Sequence, residues 1–191
     1  MEKLRFDFFD ILGYLIPGTA LLMSLWVTAD TSVHQLSDLY NFVKKVDANV
    51  LLSGIVIAYV TGFTLHLLGS LLFSWMNGPM HRRRDAVTKN VGVYWALIRE
   101  NGERHMVILD RWWALKALSS NLAAFAAVAS LLALVKWRLT HYWEWACLTP
   151  VFLALFFIYN NRAKRFHRFL DDDSYAVFQA LDLKKQLPSD V

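Results

Sequence analysis

Four apolar stretches, at about 11–29, 50–76, 117–135 and 142–159, dominate the chain, and each approaches or exceeds the length a helix needs to cross a bilayer. At 1.5 Å of rise per residue, roughly 20 residues cover the ~30 Å of hydrocarbon in a membrane. Backbone N–H and C=O groups cannot stay unpaired in lipid, and none of these runs alternates polar with apolar residues, so helices are expected rather than a β-barrel. Composition agrees: 56% of the 191 residues are hydrophobic, above the roughly 45–50% of soluble domains. The expected fold is all-α and polytopic, a single membrane domain over 1–191 with four transmembrane helices and a cytosolic helical layer.

The cations set the orientation. With both termini in the cytoplasm of a bacterial inner membrane, 16 of the 20 Lys and Arg residues fall inside, as cytoplasmic loops require. Lys44, Lys45, Lys136 and Arg138 remain outside. Trp26, Trp137, Tyr142, Trp143 and Trp145 mark the outer interface, and Trp75, Trp112 and Trp113 the inner one. Glu144 must then lie at the outer edge of the fourth run. Val27-Thr28-Ala29 looks like a signal-peptide cleavage site, but Glu2, Asp7 and Asp10 precede the apolar run, so the first segment is read as a retained helix. Cys147 is the only cysteine and forms no internal disulfide.

Outside the spans the expected pieces are short helices. Pro17-Gly18 predicts a kink in the first span. Leu36, Leu39, Tyr40, Phe42 and Val43 give the outer loop an apolar patch suited to a short surface helix. Cytosolic helices are expected at about 82–100, 103–116 and 162–186. Asn101-Gly102 makes a turn, the segment from Glu103 runs unbroken into the third span, and DDDS at 171–174 offers a break and an N-cap before a last amphipathic helix.

In the second span Gly54, Ala58, Gly62, His66 and Ser70 recur every fourth residue. Four are small, which extends the small-xxx-small pattern that lets another backbone approach closely. This row is expected to form an oligomer contact or a pore face, with His66 in the seam as a neutral imidazole hydrogen-bonded to a Ser or Thr. Ala123, Ala124, Ala126, Ala127, Ala129, Ser130 and Ala133 make the third span small on several sides, suggesting neighbours in its own and another subunit. The alternative is a gated pore lined by the second span, with His66 and Thr64 facing water.

The remaining cations point to partners. Arg82, Arg83 and Arg84 follow a span directly, so they are read as a stop-transfer and lipid-headgroup signal, not a nucleic-acid site. Arg104, Arg111, Arg162, Arg165 and Arg168 are candidates for binding a cytosolic protein or headgroups. Arg162 and His167 fit the R-x4-H spacing of HEPN-like ribonucleases, Arg99 and His105 the R-x5-H variant, and His105 and Asp110 the H-x4-D spacing of membrane acyltransferases. None carries the remaining residues of its site, so all are read as chance and no catalytic residue is assigned. Asp171, Asp172 and Asp173 have no second acidic cluster with which to hold Mg²⁺. No cofactor or metal is expected.

The opening Phe6-Asp7-Phe8-Phe9-Asp10-Ile11-Leu12-Gly13-Tyr14-Leu15-Ile16-Pro17-Gly18 resembles the start of small polytopic membrane proteins of bacterial antiphage systems. The layout of four spans and a basic cytosolic layer is similar to the membrane subunit of Kiwa-type defence and, less closely, to membrane accessory proteins of type VI CRISPR loci. That resemblance implies a homo-oligomeric inner-membrane protein that senses or perturbs the membrane during phage attack and works with a cytosolic partner.

Overall fold

A computed structural model describes residues 8–44, 48–78 and 90–186, and every regular element among them is helical. In chain order these are α1 (Phe8–Ala29), α2 (Asp38–Lys44), α3 (Ala48–Asn77), α4 (Val91–Asn101), α5 (Glu103–Thr140) and α6 (Trp143–Ala180), closed by a 3-10 turn at Leu183–Gln186. Among the described residues three helices are long and apolar enough to cross a membrane: α3 through Ser53–Asn77, α5 and α6; the apolar part of α1, Gly13–Ala29, is shorter. The short helix expected in the loop after the first apolar run falls where the apolar patch predicts it, at α2.

The scaffold is the hairpin of α5 and α6. Each has 38 residues, about 57 Å at the α-helical rise, nearly twice the hydrocarbon thickness. His141 adopts the left-handed conformation, φ 61°, and donates its N–H to Trp137 O at 2.7 Å, which ends α5 and turns the chain within two residues. Running without a break from Glu103 into the apolar stretch, α5 behaves as its sequence predicts.

The acidic run in α6 does not. Asp171, Asp172 and Asp173 lie inside the helix, which continues to Ala180. Local preference for a cap is weak beside packing: Leu170, Ser174 and Phe178, spaced by four, are all buried. Asp173 also accepts a 2.7 Å hydrogen bond from Trp112 Nε1 of α5. The helix expected at 82–100 is seen as Val91–Asn101, capped by Asn90, whose side chain accepts from Gly92 and Val93 N–H; 82–89 lie outside the described residues.

At this end of the hairpin Tyr94, Ile98, Leu109, Leu170, Phe178 and Leu183 form a second core. Tyr94 stacks on Phe178 with centroids 4.9 Å apart, and its hydroxyl reaches Ser174 Oγ at 3.2 Å. Because the hairpin is longer than a bilayer is thick, this core extends past any slab containing the apolar half of the bundle.

At the opposite end, α5 is the central helix, packed against α1, α3 and α6. Ala123, Ala124, Ala126, Ala129, Ser130 and Ala133 are buried by these helices of the same chain. The smallness of α5 on several sides thus serves three internal neighbours. Contact between α1 and α3 is closer still: a Cβ on Gly62 would lie 1.8 Å from Tyr14 O, and one on Gly18 would lie 1.8 Å from Ala58 O. The two backbones touch, with no room for any side chain at either glycine.

We expect Gly62→Ala to destabilise the detergent-solubilised protein by about 2 kcal/mol or more, since overpacking costs 1–3 kcal/mol and here the obstacle is backbone. Gly54→Ala, with nothing within 4 Å of the new methyl, should stay within about 0.5 kcal/mol of the parent or gain slightly. Thermal unfolding of the two variants side by side reads the difference.

Candidate functional site

Pro17 lies inside α1 and has no N–H, so the carbonyl four residues earlier, that of Gly13, loses its helical partner. In water a solvent molecule would replace it. In an apolar bundle another helix must. Asn121, fully buried on α5, donates from Nδ2 to Gly13 O at 2.9 Å. Its Oδ1 then faces His66 Nδ1 at 3.2 Å. With the amide nitrogen engaged on Gly13, Oδ1 can only accept, so His66 must carry its hydrogen on Nδ1. The imidazole within an apolar helix thus has a structural role: His66 orients Asn121, and Asn121 satisfies the carbonyl that Pro17 releases.

Aromatic rings close the site. Tyr14, next to the freed carbonyl, packs edge-on to Tyr59 (5.7 Å) and His66 (5.8 Å) and at a tilt to Phe63 (5.7 Å). The three partners, spaced four and three residues apart on α3, form a cradle around one ring. Asn121 was the residue missed from sequence. Its signal was there: it is the lone amide in the apolar stretch between Lys116 and Lys136, whereas the expected partner of His66 was a Ser or Thr.

The small-residue row is divided by the fold. Ala58 and Gly62 are buried against α1, Gly54 and His66 are half-buried, and Ser70 is exposed. Steps of four residues advance 400°, so a strict i+4 row drifts 40° per step around the helix. The buried face instead follows Ala58, Gly62, Leu65, Gly69 and Phe73, in steps of four, three, four and four. A Cβ on Gly69 would meet Ser120 O of α5 at 2.7 Å. Thr64, exposed and bonded to Val60 O, lies about 160° around the helix from His66, so no single axis faces both.

Further polar groups pin the opposite end. Lys136, only 2% exposed, donates to Asp30 O at 2.7 Å and Thr28 O at 3.5 Å, capping the carbonyl end of α1. Glu144 accepts from Leu36 N–H at 3.0 Å, and Trp145 Nε1 donates to His34 O at 2.7 Å. Trp145 is therefore buried, tying down a loop, instead of standing in an interfacial belt, whereas Trp143 is exposed. Asp38 accepts from Gln35 and His34 N–H, which holds its carboxyl below the usual range. A lowered carboxylate contributes stability above its unfolded pKa and loses it as pH falls through the folded value, so this loop loosens only in acid.

Arg104, Arg111, Arg162, Arg165 and Arg168 are all exposed, and Arg82, Arg83 and Arg84 lie outside the described residues. Arg162 and His167 point about 140° apart on α6, the first to the surface, the second buried against Phe73 at 5.8 Å. Among the described residues no three His, Cys, Asp or Glu side chains could together hold a metal ion. No family model, curated protein or solved structure matches this chain.

The link between Pro17 and Asn121 is open to a double-mutant cycle. Asn121→Leu should cost about 1–3 kcal/mol by stranding a buried carbonyl. In the Pro17→Ala background, where an N–H returns to Gly13 O, the same change should cost less by about 0.6 kcal/mol or more, the average scale for such bonds in membrane bundles. Unfolding titrations in mixed micelles measure both; equal losses in the two backgrounds would break the link.

Proposed function

We propose that this chain is a four-span protein of a bacterial inner membrane, with both termini cytoplasmic, that acts as a homo-oligomeric component of an antiphage defence system and docks a cytosolic protein. With 22 residues, α1 measures about 33 Å, enough to serve as the fourth span. The second core and the far ends of α5 and α6 then lie in the cytosol. The cation distribution supports this orientation, and the resemblance of the opening segment supports the defence role.

One observation carries the docking step. On α5, Arg104, Val107, Ile108 and Arg111 form an i, i+3, i+4, i+7 stripe pointing away from the core, with Val107 76% and Ile108 51% exposed. The other side of the same segment is packed through Leu109 and Trp112. Adjacent exposed aliphatics flanked by arginines, on a helix beyond bilayer reach, are what a helix-face interface uses: apolar centre, cationic rim. In this reading the rigid hairpin transmits changes in the membrane layer to the docked protein. Since the small faces of α3 and α5 are occupied within the chain, subunits meet through lipid-facing side chains such as those of α3.

Expression of the intact system should reduce phage plaque formation, and the double variant Val107→Asp, Ile108→Asp should restore plaquing to near the level without the system, with membrane insertion and complex size in detergent unchanged. Protection undiminished by the double variant would exclude this stripe as the docking face, and a single-chain mass in detergent would exclude the homo-oligomer.

A further inference from the structure

No charged residue stands on α6 between Glu144 and Arg162. At 100° per residue, Val151, Ile158, Arg162, Arg165 and Phe169 fall within about 60° of one another around the helix, and all five are exposed. Arg168 is exposed beside them, about 60° on from Arg165. One continuous face of α6 is thus aliphatic as far as Ile158 and cationic over the next two turns. Among the described residues none of these three arginines has a carboxylate partner.

Aromatic rings mark the depth at which this change occurs. Phe169 is exposed, and Trp112 of α5 packs against it with centroids 5.1 Å apart, which sets the exposed Trp113 at the same level. On α3, Phe73 lies against His167 at 5.8 Å, and the exposed Trp75 follows half a turn later. At the other end of α6 Trp143 is exposed. From Trp143 to Phe169 the helix rises about 39 Å, close to the roughly 40–45 Å of a bilayer with its headgroup layers, at whose two surfaces exposed aromatics collect. Measured from Phe169, Arg168, Arg165 and Arg162 lie about 1.5, 6 and 10.5 Å toward the bilayer centre. Arg165 and Arg168 therefore fall within the headgroup layer, and the apolar stem of Arg162 lets its guanidinium reach outward to them. Asp171, Asp172 and Asp173 come only after Phe169.

Depth selects the ligand. A macromolecule arriving from solution meets Arg104, about 12 Å beyond Trp112 along α5, whereas Arg165 and Arg168 stand among lipid phosphates. Guanidinium groups bind phosphate through paired N–H donors, and uncompensated cations at a membrane surface draw lipids of net negative charge. We propose that Arg165 and Arg168, with Arg162 reaching up to them, form a binding surface for anionic phospholipid headgroups in the leaflet at the Phe169 end of α6, the cytoplasmic one in the orientation above. The proposal rests on the membrane reading of the chain, whose own failure would appear separately as release of the protein from membranes by alkaline carbonate.

The test reconstitutes the full chain in phosphatidylcholine nanodiscs carrying a trace of either phosphatidylglycerol or phosphatidylcholine with a photoactivatable diazirine at the top of the acyl chain, and maps adducts by mass spectrometry. On 158–169 the phosphatidylglycerol probe should label about tenfold more than the phosphatidylcholine probe, with near parity on 63–71 of α3, which has no Lys or Arg. Arg165→Gln combined with Arg168→Gln should abolish that preference. Arg99→Gln combined with Lys184→Gln, an equal loss of charge at exposed positions of α4 and the closing turn, should preserve it. If circular dichroism shows that the first double variant does not fold, Arg168→Gln alone should lower the preference about threefold. Equal labelling of 158–169 by the two probes, an unchanged preference in the folded variant, or the same loss in the Arg99 and Lys184 control would overturn the surface.

Discussion

A carbonyl without a partner organises the membrane half of this molecule. Pro17 removes an N–H from α1, and inside an apolar bundle the stranded Gly13 oxygen has only protein to turn to. The amide of Asn121 reaches it at 2.9 Å, and His66 holds that amide's other end at 3.2 Å. Three helices are thereby joined at one depth. Glycines make this possible, because Gly18 and Gly62 let the α1 and α3 backbones meet, which brings Tyr14 and His66 together beside α5.

That knot has a mechanical consequence. Close backbone contact and a hydrogen-bonded chain resist sliding, whereas lipid-facing aliphatics do not. The seating of α1 on α3 and α5 is therefore the rigid part of the bundle, while the side of α1 facing α6 has a cleft in place of a helix contact. Lys136 holds the end of α1 through carbonyls of Asp30 and Thr28. In the proposed function the long hairpin is the element shared by both layers, since Lys136, Asn121, Leu109 and the Arg104–Arg111 stripe all belong to α5. Whatever reseats α1 acts on the same helix that presents the exposed Arg104–Arg111 stripe.

The extent to which this could be read from sequence differs by feature. Apolar length gave the long helices, an apolar patch gave the short helix α2, and the continuity of α5 followed from the lack of breakers after Gly102. The acidic run at 171–173 misled, because a cap preference of about 1 kcal/mol yields to a buried stripe of Leu170, Ser174 and Phe178, where each large apolar side chain contributes about 1.5–3 kcal/mol. The row Gly54, Ala58, Gly62, His66, Ser70, expected as an oligomer contact or a pore face, meets a backbone at Ala58 and Gly62, but that of α1 in the same chain, and it drifts off the face at Ser70, because 3.6 residues per turn is not four. A Ser or Thr is the expected partner of His66, and Asn121 takes that place because the group in need is a backbone carbonyl that no side-chain pattern displays.

By itself the sequence determined that this chain forms long apolar helices of a length that can cross a bilayer, and that Pro17 falls inside one of them, because these depend on local composition and length. Only the tertiary structure decided that the small residues of α3 and α5 are used inside one chain, that His66 serves Asn121, and that Val107 and Ile108 are left uncovered. Each of those is a question of which helix neighbours which, and apolar helices of similar length leave several arrangements open until backbone fit at the glycines and partners for stranded polar atoms select one.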